Sequence, residues 1–381
     1  MSTSTRMYGS LALIFWMSAC ERTPSKVNTQ DLEAASVTGK MKTLCRGLEM
    51  RDDDVRRYAA EKLDMVTEPI AAECICTTLT AGPGAEKLGW DPAIVEGLKR
   101  TSRDDLAGCV VAVAKRADLK ERLRAVSSMT SMTAPVARQA LIDIAVEAGA
   151  ETDVRLSALN AVAGAPATKA QVLGLLASDA EPTVRRAAAT GLGALVEPDV
   201  TAALLKAAAE DADGAVRGAA LLGVKRHGVA EADAMLCTAM QNDESPAVRA
   251  VAIGAFKGTK RPEGVECLRK AAMVEQPDAE VRAKLLMVLK SSPTPEAAKV
   301  LCDAIPFWVK TYLKEGMVDK VPSSDIIRAQ NDRDWDKSLA CVEAAQRQAG
   351  GYSCYGKKYV ASWVKELGGN SFEPKCPGYN E

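Results

Sequence analysis

The sequence predicts an all-α chain that stacks helical hairpins in an array rather than wrapping one compact core, and three observations predict it. Val-Arg pairs recur at Val154-Arg155, Val184-Arg185, Val216-Arg217, Val248-Arg249 and Val281-Arg282, at intervals of 30 to 33 residues, and a period of this length marks a repeat architecture. Four and eight positions after each Val stand small or apolar residues, such as Ala188 and Leu192 or Ala220 and Val224; positions 0, 4 and 8 share one helix face. The composition is rich in alanine and only 4% aromatic, which favours closely packed helices over sheet sandwiches. At 381 residues the chain is also long for a single core.

Charge excludes one class of partner. Lys plus Arg (49) nearly cancels Asp plus Glu (50), so nothing points to nucleic acid, which needs a basic surplus.

The N-terminal stretch has a polar start with Arg6, an apolar run from Leu11 to Met17, then small residues and a cysteine. That run is too short for a permanent transmembrane helix. Met17-Ser18-Ala19-Cys20 resembles the lipobox of bacterial lipoproteins, with Met where Leu is usual. The resemblance implies a signal peptide over 1–19, lipidation of Cys20, and an exported, membrane-anchored chain. Glu21 rather than Asp after the cysteine points, within that resemblance, to the outer membrane, on its periplasmic face or at the cell surface. The alternatives are an ordinary secretory peptide cleaved nearby and a mis-assigned start with a buried Cys20.

Residues 20–40 read as a polar tether leading into the first helix. Residues 41–133 read as degenerate repeats, with Val55-Arg56 and a weaker copy around Leu119-Lys120. Residues 134–305 hold the regular units. A turn with Asp, Ser, Pro or Gly precedes each Val-Arg pair, as in Asp179-Ala-Glu-Pro182 and Asp243-Glu-Ser-Pro246; these residues satisfy or omit the first helical amides. A first helix is expected ahead of each turn, over 136–147, 169–176, 200–209, 231–240, 263–274 and 296–305.

This pattern resembles the HEAT-repeat proteins, of the short-unit kind also seen in phycobilisome-lyase-like families. The resemblance implies a right-handed α-solenoid whose second helices line a concave face. It fixes fold better than activity. The expected function is a non-catalytic, lipid-anchored scaffold holding an unidentified protein or peptide on that face, with no cofactor. An accessory enzyme subunit and a binder of an acidic polymer are the alternatives.

Arg56, Arg155, Arg185, Arg217, Arg249 and Arg282 could form a ligand ladder. Because Asp recurs in step with them, a structural ladder that locks the stack is favoured. Lys225, Lys257 and Lys290 would align as a basic strip at helix ends, either binding an acidic partner or answering the helix dipole.

His227, the only histidine, reads as an exposed loop residue and supports neither a multi-His zinc site nor a catalytic triad. Asp332, Asp334 and Asp336 have the spacing of a calcium loop, but Lys337 occupies the required Gly position, so they read as caps of a helix over 335–348.

Of the eleven cysteines, ten remain if Cys20 is used otherwise, an even number that suits an oxidising compartment. Cys74 and Cys76 are too close in sequence for a CxxC pair and should bond to different partners, with Cys45 and Cys109 the nearest candidates. Cys237, Cys267 and Cys302 fall on successive first helices, as bridges or as buried thiols. From residue 306 to 381 aromatics become frequent, which predicts a small helical cap with a Cys354–Cys376 bridge. Its Trp308, Trp335 and Trp363 could form a core or a partner-binding surface.

Overall fold

In the regular units each helical start is set by its turn. Asp213 accepts from the amides of Ala215 and Val216 at 2.9 and 3.1 Å, and Asp278 from those of Glu280 and Val281 at the same distances. Pro182 and Pro246 instead stand at the first helical position, where no amide partner is needed.

The computed structural model describes residues 26–80, 91–115, 119–292, 294–312, 335–347, 352 and 354–366. Its fold is an all-α, helical-hairpin solenoid of stacked HEAT-like repeats with a short C-terminal helical segment. Contacts divide the chain into two units, residues 1–143 and 144–381.

The first unit holds α1 (Thr29–Thr38), α2 (Met41–Gly47), α3 (Asp53–Asp64), α4 (Pro69–Thr80), α5 (Pro92–Gly97), α6 (Asp104–Ala114) and α7 (Leu119–Met129). Helix α8 (Pro135–Val146) runs across the division between units. Here α3 packs on α5, and α4 on α6. Helix α1, capped by Asn28, lies within the segment expected to be a tether; its Leu32 is fully buried, so this stretch already contributes to the core.

The second unit alternates first and second helices. The first helices are α10 (Lys169–Ser178), α12 (Pro198–Glu210), α14 (Ala230–Asn242), α16 (Pro262–Ala272) and α18 (Pro295–Tyr312). The second helices are α9 (Thr152–Val162), α11 (Pro182–Leu192), α13 (Gly214–His227), α15 (Pro246–Gly254) and α17 (Ala279–Ser291). Second helices pack in succession, α9 on α11, α11 on α13, α13 on α15 and α15 on α17. Val184, Ala188 and Leu192 are fully buried, as are Val216, Ala220 and Val224. Each such Val or Leu contributes about 1.5–3 kcal/mol by leaving water.

Glycine sets how closely the second helices approach. A Cβ on Gly191 would stand 2.2 Å from Ala163 Cβ and 2.8 Å from the Ala163 carbonyl carbon. No side chain fits there.

The break expected at residue 305 falls inside α18, which continues through Pro306. Beyond it the described helices are α19 (Trp335–Arg347) and α20 (Cys354–Glu366), packed on each other. The composition changes at 305 while the last hairpin is still unfinished.

Candidate functional site

The repeated arginines and the turn aspartates form one continuous inter-unit chain. Arg185 donates from Nε and Nη2 to the two oxygens of Asp211, each at 2.9 Å, and from Nη1 to the carbonyl of Asp179 in its own turn at 2.9 Å. Arg217 repeats this one unit later, on Asp243 at 3.0 and 2.8 Å and on the Asp211 carbonyl at 2.9 Å. Arg155 pairs with Asp179 in the same sense. Each aspartate also accepts from a backbone amide two residues on, from Glu181, Asp213 or Ser245 at 2.8 to 3.0 Å. Arg185 and Arg217 therefore each tie their own turn to the next, and Arg155 ties the Ala145 carbonyl of α8 to the next turn.

The electrostatics follow. The hydrogen bond from Arg185 holds the Asp211 carboxyl below the ordinary carboxylate range, against the upward push of burial. For Asp179 and Asp243 burial is the largest single influence and pushes upward; hydrogen bonds from Arg155 or Arg217, with the turn amides, override it. The hydrogen bonds to Asp211 and Asp243 correspondingly raise the Arg185 and Arg217 guanidiniums.

Elsewhere the series changes form. In the first unit Arg56 donates to the Met50 carbonyl at 2.6 Å and lies 2.7 Å from Asp91, an ion-pair distance at which the Nε hydrogen does not point at the oxygen. Arg249 donates to the carbonyls of Asp243 and Glu244 at 2.7 and 3.2 Å, but its Nε is buried without an acceptor. The reason is Gln276, which stands five residues before Val281 where the earlier turns carry Asp; its amide donates to the Met240 carbonyl at 3.3 Å. Arg282 is 2% exposed and donates to the Gln276 carbonyl.

The other nominated residues separate. Lys225 is bound to Asp233, which also pairs with Arg261, and it stacks over the Phe256 ring at 4.9 Å. It is thus occupied within the protein, and its own carboxylate interrupts the expected strip; Lys257 is exposed. The side chain of Lys290 lies outside the described residues, as do those of Trp335 and Trp363. Trp308 is 3% exposed and donates from Nε1 to the Ala272 carbonyl at 2.8 Å, so it belongs to the core and not to a contact surface. His227 is half-buried as the last residue of α13 rather than on a loop, with Nδ1 2.7 Å from the Thr201 hydroxyl.

Disulfides join Cys45 to Cys74, Cys76 to Cys109, Cys237 to Cys267 and Cys302 to Cys341, with Cα atoms 4.9 to 5.6 Å apart. Cys354 is also disulfide-bonded. Cys376, Cys20, the leader, and Asp332 and Asp334 lie outside the described residues. Among the described residues no three His, Cys, Asp or Glu side chains converge as metal ligands, and no helix is long and apolar enough to cross a membrane.

Grooves of about 370 and 470 Å³ lie along the first helices α10, α12 and α14, and another lies on the solvent-facing side of the second helices. This last groove, of about 460 Å³, runs over α9, α11, α13 and α15. Ala187, Gly218, Ala219 and Val251 form part of its wall, Leu156 and Leu222 contribute apolar side chains, and Arg186 and Arg226 contribute its charge. Sequence reasoning expected a partner on a face built from the second helices but did not single out the lining of this groove. Its signal is an absence: positions two, three, six and ten after each Val, from Leu156 to Ser291, include no Asp or Glu.

Residues 146–225 and 234–306 match the family model described as HEAT repeats. No curated protein matches the chain. Among solved structures it is similar to the complex of CpcE and CpcF of phycocyanin lyase from Nostoc sp. PCC7120, at 18% identity and a TM-score of 0.36, over 68% of this chain and 94% of that one. It is similar to a homology model of the full-length AP-3 complex, at 11% identity and a TM-score of 0.43, over 89% of this chain and 71% of that one. A third similarity is to the S. pombe condensin Cnd3-Cnd2 subcomplex, at 14% identity and a TM-score of 0.30, over 87% of this chain and 49% of that one.

Proposed function

We propose that this chain is a scaffold that binds a protein or peptide partner along the outer face of its second helices and performs no chemistry of its own. One observation carries the reading. The conspicuous Arg155, Arg185 and Arg217 are consumed in pairs that hold the stack together, whereas the groove beside them presents small and apolar residues to solvent. Extended faces of this kind are what stacked repeats supply for binding.

The chain works, on this proposal, at a bacterial outer membrane, on the periplasmic face or at the surface, anchored by lipid on Cys20. The disulfides support export, since such bonds persist in oxidising compartments.

The test uses Gly218→Leu, which fills the groove. A Cβ at Gly218 meets Val251 no closer than 3.8 Å, so the first side-chain atom fits, and an unchanged thermal midpoint of Gly218→Leu shows that the rest does. A stoichiometric partner cross-linked to the wild-type chain in membranes and lost from Gly218→Leu is the expected result. Equal capture by both, or turnover of a small molecule by the purified chain alone, overturns the proposal. Cys20→Ser is expected to release the chain from membranes; unchanged attachment removes the lipid anchor.

A further inference from the structure

The groove has a charge character that the rest of the chain does not share. Over the whole sequence acidic and basic residues nearly cancel, 50 against 49. Exposed Asp153 and Glu280 stand one position before their Val, outside the groove's lining; the charged residues that line it are Arg186 and Arg226, and Lys284 follows on α17. None of these three cations has an ion pair among the described residues. Lys225 and Arg261 share Asp233, whereas Arg186 and Arg226 have no carboxylate of their own.

Two of these cations are also laid across the stack by glycine. Arg226 Nη1 stands 3.4 Å from where a Gly193 Cβ would be, and Lys284 Cε 3.0 Å from that of Gly254. With no side chain beneath, the Arg226 guanidinium lies over Gly193 and the Lys284 stem over Gly254, each on the neighbouring second helix. Between Arg186 and Arg226, which line the same groove, Gly218 and Ala219 leave room for a chain, and Leu222, 39% exposed, offers an apolar contact.

Resting on the scaffold reading above, we infer that the partner enters this groove through an acidic segment, its carboxylates pairing with Arg186 and Arg226 and an apolar side chain lying against Leu222. Arginine suits the role because its planar fork holds a carboxylate through two parallel hydrogen bonds. The occupant is a peptide rather than a bare polyanion because the site combines separated charges with an apolar contact and a floor of small residues.

The test measures fluorescence anisotropy of a short labelled peptide alternating Glu with Leu, added to the full chain. Counterparts carry Gln or Lys in place of Glu. The Glu peptide is expected to bind and the Lys peptide not to. In Arg186→Glu/Arg226→Glu the Glu peptide should weaken by about ten-fold or more, because two attractions become repulsions. Both positions are exposed, and an unchanged thermal midpoint confirms that the variant is folded.

Equal binding of the Glu peptide to wild type and this variant overturns the acidic assignment. If the Gln peptide binds as tightly as the Glu peptide and Gly218→Leu weakens both, the acidic assignment falls while the groove reading stands. If Gly218→Leu changes nothing, both fall. Inorganic polyphosphate that binds more tightly than the peptide, and is indifferent to Gly218→Leu, identifies a polyanion surface and overturns the inference.

Discussion

Arg217 reaches both carboxylate oxygens of Asp243, Nε to Oδ2 at 3.0 Å and Nη2 to Oδ1 at 2.8 Å, and so joins two turns that lie one repeat apart. The two side chains are only 8% and 11% exposed. Asp243→Ala strands a buried guanidinium and is expected to cost about 3–5 kcal/mol. By contrast Arg269 and Glu266 pair at the surface, 43% and 46% exposed, and Arg269→Ala should cost about 1 kcal/mol or less. Urea midpoints of the two variants check the contrast; equal losses would show that the inter-unit pairs do not lock the stack.

Acid should dissolve the same chain of pairs. Asp179, Asp211 and Asp243 are held below their ordinary value, so the folded state binds their protons less readily than the unfolded chain. Their contribution is complete above the unfolded value of about 3.9 and is lost as pH falls through each lower folded value. Unfolding free energy measured below about pH 4 should decline with acidity, and Asp243→Asn should decline less steeply. Identical slopes would show that Asp243 does not contribute to the acid response.

Arg249 lacks the carboxylate that Arg185 and Arg217 enjoy, because Gln276 stands at the turn position. Gln276→Asp supplies it and gives the buried Nε an acceptor. A stability gain of about 1 kcal/mol is expected, the gain of a charge-assisted bond less the lost amide contact to Met240. A lower thermal midpoint would show that the Gln276 amide matters more than the missing charge.

Close helix approach makes two glycines respond differently. Gly191→Ala sets a methyl group into the backbone of Ala163 and should cost about 1–3 kcal/mol. Gly218→Ala meets Val251 only at 3.8 Å and should be neutral or slightly stabilising, since Ala favours helix. Thermal midpoints of the pair decide it.

Opening the Cys237–Cys267 bridge, which spans 30 residues, releases an entropic restraint on the unfolded chain. Cys237→Ser/Cys267→Ser is expected to lose about 2–4 kcal/mol. Denaturant titration under oxidising conditions measures it, and a loss near zero would leave the bridge without a stabilising role.

The architecture could be read from the chain because its signal is periodic: Val184, Ala188 and Leu192 repeat as Val216, Ala220 and Val224, and all six are fully buried. Trp308 was less legible. Aromatic enrichment beyond Ile305 left a core role and a partner-binding surface open; α18 continues to Tyr312 and carries the indole into the core, in contact with Ala272, 36 residues earlier. Such a contact has no local signature. Cys302 was equally opaque, since Cys341 lies beyond the last regular unit. The groove escaped for another reason. Composition averages the acidic turns with a groove lining that carries no carboxylate, and the difference shows only when residues are sorted by the direction in which the helix points them.

The spacing of the bridges also decides how this chain would behave under tension. Cys45–Cys74, Cys76–Cys109 and Cys237–Cys267 close loops that cannot be drawn out by pulling on the ends, whereas no cysteine lies between Cys109 and Cys237. That middle stretch is longer than the other unbridged one, between Cys267 and Cys302. Stretched by an anchor at one end and a load at the other, the protein would lengthen there, where Arg155, Arg185 and Arg217 are the clasps that must open, while the bridged stretches on either side stay short.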